Sequence, residues 1–445
     1  MGKDMMNISG ATSSFDISNH SNTLIINVPD ANLEKIGQIL SSDISFAGDI
    51  SLINCFTNKL DSIITIASQQ GDIKIENGEM NANVKSTTGN VEIKGANLKA
   101  ISTEQGAVEL SENAKVAAIE TKKETGFIKV CDSEVENSIT TTQGFVELIR
   151  GSKAKSIKTT CGSGIVTVTG SEVTDNVRTI GGKVRLFGKS TVGTIATLCK
   201  GADVLVEYSF VKNEIKTDGG SVKLESDAKV KKIKTNQQSG SVTLNNSDAE
   251  EIETTSGNIL IKGSTCYMPE KLITDSGEIT VERIKTDKNT CIEQKTGKTV
   301  FKNTVHKAKI TTNSRNTVID EKSSLNHLHW VIPEKSCEKN NPTTRHEILK
   351  QRFAGSITIG NSYTNCRVKS IVDNTQISFV SQPDKYQIDV SKSVNIGENV
   401  FEIVVSGKIL TLTVDNSANP DAKLQLVTKG TGNVDYRDNI IEVVS

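Results

Sequence analysis

The sequence predicts an all-β protein: a β-solenoid of about 15 coils, each 18–20 residues long and alternating in length, followed by a C-terminal antiparallel β-module. Three observations predict it. The stretch IETTSGNILI at 252–261 recurs in close copies from about residue 64 to about residue 312. Its first apolar residue, the anchor, falls at Ile101, Ile119, Ile139, Ile157, Val177, Ile195, Ile215, Ile233, Ile252, Leu272, Ile292 and Ile310, at spacings of 18 to 20. Each copy also holds two short runs of period-two alternation separated by a glycine, the pattern of strand, turn and strand.

In the unit itself, Ile252 and Thr254 lie on one face of a strand and Glu253 on the other. Gly257 turns the chain, and Ile259 and Ile261 then alternate with Asn258 and Leu260. So few apolar residues make no core alone, so neighbouring copies must stack. Helical repeats are excluded because they need about 33 to 47 residues per unit.

Threonine follows two residues after the anchor at Thr103, Thr121, Thr141, Thr159, Thr179, Thr197, Thr217, Thr235, Thr254, Thr274 and Thr312, with Gln294 the exception. Between anchor and Thr stand Ser102, Glu120, Thr140, Lys158, Arg178, Lys216, Lys234 and Glu253, residues suited to water. The Thr column is therefore predicted to face inward. There its hydroxyls bond to nearby backbone or to the next Thr, and the column is not an exposed ice- or crystal-binding ladder.

The alternation of 18 and 20 has a source in one turn. Anchor to turn glycine is five residues at Ile101–Gly106, Ile139–Gly144, Val177–Gly182, Ile215–Gly220 and Ile252–Gly257, but seven at Ile119–Gly126, Ile157–Gly164 and Ile233–Gly240. At Ile195 the glycine comes after six, and Ala202 is predicted to take the turn position. The wide turns define a candidate interaction ridge: Lys122, Lys123, Glu124 and Thr125, then Cys161, Gly162 and Ser163, then Leu198, Cys199 and Lys200, then Asn236, Gln237, Gln238 and Ser239. Insertions repeated at one place of a solenoid mark one face, often the binding face. A wider turn in alternate coils also relieves crowding between turns stacked ~4.8 Å apart.

Aromatic content of 4% fits a narrow core of β-branched side chains. With 52 basic and 53 acidic residues the chain is nearly neutral, which argues against a nucleic-acid binder. Residues 150–235 nonetheless hold 16 Lys or Arg against 8 Asp or Glu. Lys158, Arg178, Lys216 and Lys234 occupy the outward anchor-plus-one position as a candidate basic stripe for phosphate or acidic glycan. Its plainer reading is a solvated face that discourages lateral aggregation.

Taken in order, residues 1–32 are predicted to cap the first coil, with a strand in TLIINV, and 33–325 to form the solenoid. Residues 326–355 are predicted to be a second cap, with Trp330 and a short helix near the Thr344–Glu347 capping box. Residues 356–445 lose the repeat spacing and read as strands of a sandwich-like module, to which self-association is assigned. His327, His329, Cys337 and His346 are the only concentration of metal-ligand types, and their spacings match no zinc pattern; no metal or other cofactor is predicted. Cys161 and Cys199, two coils or ~9.6 Å apart, are too distant for a disulfide, which needs Cα atoms within about 7 Å. The N-terminal residues show no charged, apolar and cleavage-site sequence of an export signal, and no apolar run reaches about 18 residues. The expectation is a cytoplasmic protein, or one exported by another route, with no transmembrane segment.

The motifs TTSGNILIKG at 254–263, TTGNVEIKG at 87–95 and DSGEITVE at 275–282 resemble a bacterial adhesin family of short-repeat β-solenoids, over most of residues 64–320. That resemblance implies a right-handed β-solenoid and a surface, binding or scaffold role without an assigned reaction. Coil length is also similar to that of bactofilins, the polymer-forming cytoskeletal solenoids. The chain lacks a Walker A loop, HExxH and GxSxG, and no Asp cluster occupies one column. Glu92, Glu109 and Glu147 align beside the second strand but point outward. The sequence therefore predicts a non-enzymatic rod that binds a protein or glycan ligand, with a carbohydrate-active solenoid as the rival.

Overall fold

The structure is a computed structural model. It describes residues 16–20, 23–27, 43–56, 63–122, 126–199, 201–236, 240–264, 267–286, 288–312, 314, 316–320, 323–331, 354–359, 363–370, 376–380, 387–395, 398–406, 410–415, 424–430 and 440–444. These form a parallel β-solenoid, resolved into two compact units, 1–220 and 221–445.

In the first unit each coil gives one strand to an anchor ladder and one to a return ladder. Ile101, Ile119, Ile139, Ile157, Val177, Ile195 and Ile215 are successive partners in the anchor ladder and are all buried. In the return ladder Val91, Val108, Ile128, Val146, Val166, Val184 and Val204 stack in the same way. At the N-terminal end, Asp16–His20 runs antiparallel to Thr23–Asn27, which is itself the first parallel rung beside Asp49–Phe56. Residues 33–40, predicted as coil, lie outside the described residues.

The Thr column faces inward as predicted, with every member from Thr103 to Thr274 at most 2% exposed. Most of its hydroxyls donate to a turn carbonyl, whereas Thr141 and Thr274 accept from the N–H of Gly144 and Gly277, and Thr121 and Thr159 have no side-chain hydrogen-bond partner among the described residues. Thr103 donates to Gly106 O at 2.8 Å, Thr217 to Gly220 O at 2.6 Å and Thr254 to Gly257 O at 2.9 Å. In the wide turns Thr197 reaches Ala202 O at 2.9 Å and Thr235 reaches Gly240 O at 2.8 Å, so Ala202 does hold the turn position.

A third buried row, Val116, Val135, Ala154, Val173, Val192 and Val211, keeps a constant spacing of 19. Three features therefore alternate together between coils. Strands ending at Thr141 and Thr179 carry one extra residue between this row and the anchor, seen as register shifts. The corner before each bulged strand has one left-handed residue, Asp132, Gly170 or Tyr208. In the first unit the corner before each unbulged strand has two, Glu112–Asn113, Arg150–Gly151 or Gly188–Lys189, whereas in the second unit unbulged Asp248–Thr254 follows a corner with one, Asn246. The extra residue moves from corner to strand and back, so these two changes cancel. The wide turn alone leaves the net difference of two residues.

In the second unit the anchor ladder runs Ile233, Ile252, Leu272, Ile292 and then Thr312. The sequence pairs Ile310 with Ile292, and the structure corrects this by two residues: Ile310 lies beside Thr290 and Thr312 beside Ile292. The cause is Gln294. Its longer side chain reaches the carbonyl of Gly277 and accepts from Thr299 Oγ1 and Ser314 Oγ, so Ser314 follows it in the inner column.

The ladder continues past 325. Ser324–Val331 pairs with Val305–Thr312, placing Trp330 beside Thr312, and Ile440–Val444 pairs in parallel with Ser324–Val331. Ala354–Ile359 likewise pairs in parallel with Asn316–Ile319. These last strands join the solenoid to the antiparallel module. Leu410–Asp415 runs antiparallel to both Ala354–Ile359 and Gln376–Val380. A separate antiparallel sheet is ordered Gln387–Asn395, Glu398–Ser406, Tyr363–Ser370, Leu424–Gly430. The helix predicted near 344–353 lies outside the described residues.

Candidate functional site

The anchor and Thr faces are consumed by the core, so ligand chemistry is left to the turns and the outward rows. In the wide turn of the Ile157 coil, Cys161, Gly162 and Ser163 are all exposed. Cys161 N donates to Thr142 O at 2.7 Å, seating this turn on the narrow turn of the preceding coil, and Gly162 adopts φ +69° with the Gln143 side chain against it. Leu198 is half-buried and Cys199 exposed, with Leu198 N bonded to Thr179 O at 3.0 Å. Lys122 is exposed, 3.7 Å from Glu104, and its carbonyl accepts from Thr142 Oγ1. Asn236, in the second unit, is half-buried. Lys123, Glu124, Thr125, Lys200, Gln237, Gln238 and Ser239 lie outside the described residues. Among the described residues of the ridge, Lys122, Cys161, Gly162, Ser163 and Cys199 are exposed, and the thiols of Cys161 and Cys199 are free.

The basic stripe divides into two parts. Lys158 and Arg178 are direct partners on adjacent strands, Ala196 follows Arg178, and Lys216 follows Ala196; all three cations are exposed. Lys234, in the second unit, differs: it is half-buried and bound to Glu253 at 2.6 Å. Its register neighbour neutralises it, which the anchor-plus-one column taken one residue type at a time does not reveal.

The outward acidic row is neutralised too. Lys129 stands between Glu109 and Glu147 and binds Glu109 at 2.7 Å, while Lys94 binds Glu92 at 2.6 Å. These contacts raise both lysine pKa values, first through the side-chain hydrogen bond and then through the charge of the same carboxylate. Among the described residues, no three His, Cys, Asp or Glu side chains converge on a point that could hold a metal ion. His327 and His329 stand on Ser324–Val331, whereas Cys337 and His346 lie outside the described residues.

One feature is absent from the sequence reading. Phe127 and Phe145, 37% and 49% exposed, follow consecutive turn glycines and stack in adjacent coils, with half-buried Ile165 next in the row. The signal was two Gly-Phe dipeptides, 126–127 and 144–145, in a chain with 11 Phe in all.

No helix among the described residues is long and apolar enough to cross a membrane. No protein-family profile matches the chain, and no curated protein matches it. One solved structure with which it aligns is the tailspike protein gp49 from Acinetobacter baumannii bacteriophage Fri1, a capsular polysaccharide depolymerase. The alignment covers 82% of this chain and 81% of that one, at 7% identity and a TM-score of 0.17, and carries no argument about function.

Proposed function

We propose that the chain is a non-enzymatic binding and scaffold module, similar in role to adhesin-type β-solenoids. The observation that carries this reading is the division of labour within each coil. Anchor, Thr and turn Gly are spent on packing, while the wide turns of alternate coils project Cys161–Ser163 and Leu198–Cys199 from a rigid support. Loops held on a rigid scaffold are where binding concentrates. The outward carboxylates Glu92 and Glu109 are tied to lysines and supply no acid and base pair facing a common cleft.

Self-association through the C-terminal strands, in a closed oligomer or a bactofilin-type polymer, belongs to the same proposal. It is supported by the antiparallel strands of this region, where Gln376–Val380 pairs with Leu410–Asp415, since strands of this kind pair readily with a further strand. A glycan array combined with a turnover screen on the purified full chain tests the main reading. Retention of a protein or glycan without product formation is expected, and specific cleavage of any polysaccharide would overturn it.

A further inference from the structure

Charges that meet across the strands of this protein are almost everywhere complementary. Lys115 meets Glu134 and Glu134 meets Lys153; Lys229 meets Asp248, Lys232 meets Glu251, and Lys262 meets Glu282. Among the described registers, two bring like charges side by side: Glu92 with Glu109, and Lys158 with Arg178. The first is relieved, because each glutamate holds its own lysine. The second is not. Lys158 and Arg178 are both exposed, and neither takes part in an ion pair among the described residues. Like charges directly opposite on adjacent strands oppose folding, so a pair kept without a counter-ion in an otherwise matched surface calls for a ligand that supplies one.

The surroundings fit such a ligand. Along the row, Thr140 precedes Lys158, Ala196 follows Arg178, and Lys216 adds a third cation, so positive charge recurs at one and then two strand spacings, ~4.8 and ~9.6 Å. The parallel outward row holds Ser138, Ser156, Asn176 and Thr194, short side chains with donors and acceptors that leave the cations standing above a flat polar sheet. The carboxylates around this patch are Glu120, two rungs from Lys158, Glu214, two residues from Lys216, and exposed Glu136 and Asp175, the latter directly before Asn176.

We infer that the outward face of the anchor ladder between Thr140 and Lys216 binds an acidic polysaccharide lying along the ladder, with its carboxylates on Lys158 and Arg178 and its hydroxyls on the Ser156–Asn176 row. Three cations on a flat sheet are few for a nucleic acid, which needs many phosphates neutralised, and no aromatic side chain stands in these two rows for bases to stack on. An anionic bilayer surface would be gripped by apolar side chains beside the cations, and here the neighbours are Ser, Thr, Asn and Ala. Arg178 can engage a carboxylate through two parallel N–H bonds, which sets the polymer's position, while Lys158 adds charge.

This inference rests on the binding-module reading and is tested separately from it. Full-length protein is titrated calorimetrically with oligogalacturonate of defined length, oligothymidylate, phosphatidylserine vesicles and neutral dextran. Oligogalacturonate is expected to bind most tightly, weakening with added salt. The double substitution Lys158→Gln with Arg178→Gln is expected to weaken it about tenfold or more. Lys223→Gln, on the return ladder, should leave it unchanged. Because the double variant removes a repulsion, it should melt at or above the wild-type temperature. Unchanged uronate binding in that variant, preference for oligothymidylate or vesicles, no uronate binding at all, or a lowered melting temperature would each overturn the inference. Cleavage of the bound uronate would instead overturn the non-enzymatic reading and leave the stripe in place.

Discussion

The hydroxyl of Thr179 donates to the carbonyl of Gly182 at 2.6 Å, closing a narrow turn from inside the core. Thr179 is fully buried, so nothing from solvent can replace that bond. Thr179→Val keeps the volume and removes the donor, and should cost about 1–3 kcal/mol in urea unfolding. Thr179→Ser keeps the donor and should cost less. Equal stability of the Val variant and the wild type would mean the Gly182 carbonyl is satisfied elsewhere.

The same turn glycine is needed for space. A Cβ at Gly182 would lie 1.8 Å from the Gly164 carbonyl, one coil away. Gly182→Ala should therefore force two stacked coils apart, at about 3 kcal/mol or more. Gly151 makes the contrast: a Cβ there meets nothing within 4 Å, but its φ is +78°. Gly151→Ala should cost only the backbone penalty, about 1–2 kcal/mol. Calorimetric melts of both variants check the ranking.

Cys55 is fully buried, and burial pushes its thiol from 9.0 up to about 12. In the unfolded chain the thiol ionises near 9.0, so between there and about 12 the folded state binds the extra proton. Stability from this group is complete below pH 9.0 and is lost as pH rises toward about 12, at up to about 1.4 kcal/mol per pH unit. Cys55→Ala should flatten that alkaline slope relative to wild type. A slope identical in both proteins would remove Cys55 as its source.

Thiol reactivity should separate the cysteines by place. Cys161 and Cys199, exposed on wide turns, should react with a maleimide under native conditions, and Cys55 only on unfolding. Mass spectrometry of the labelled peptides reads this directly; rapid native labelling of Cys55 would place it outside the core.

Shortening the TKKETG and TNQQSG turns to the five-residue spacing tests the ridge. If the wide turns are an interface, association of the full chain with itself or a partner should be lost while the melting temperature holds. Among the described residues of these turns, Lys122 is exposed and its carbonyl accepts from Thr142 Oγ1. A large fall in melting temperature with association intact would assign them to packing.

Much of the coil was legible because its core residues repeat in kind: Ile or Val at the anchor, Thr two later, Gly at the turn. The left-handed corner was not, because Glu112, Arg150, Lys189, Tyr208 and Ser226 take positive φ without being Gly or Asn. There the stacked ladder imposes the conformation and local preference is overridden. The bulges escaped notice because an extra residue in the strand is cancelled by one fewer at the corner, leaving anchor spacing unchanged. The slip at Ile310 was hidden for a related reason: Ile and Thr can each occupy an inward slot, so only the contacts of Gln294 reveal which one does. Charge alignment was within reach of the anchor-plus-one column taken in coil order, where Lys158 stands beside Arg178 and Lys234 beside Glu253, and the register bears out both neighbours.

The coupled alternation of corner, bulge and turn also constrains how such a chain can change length over generations. The distance from Ile119 to Ile157, and from Ile157 to Ile195, is 38 residues. A genetic duplication or deletion of that size returns every corner to a corner of its own kind. Loss of a single coil would instead set the Gly126 turn directly on the Gly164 turn, and an unbulged strand on another, with each neighbour shaped for the opposite type. Within the first unit, viable descendants should therefore differ in steps of two coils, whereas in the second the unbulged strands Lys229–Asn236 and Asp248–Thr254 are direct neighbours and a single-coil step is tolerated.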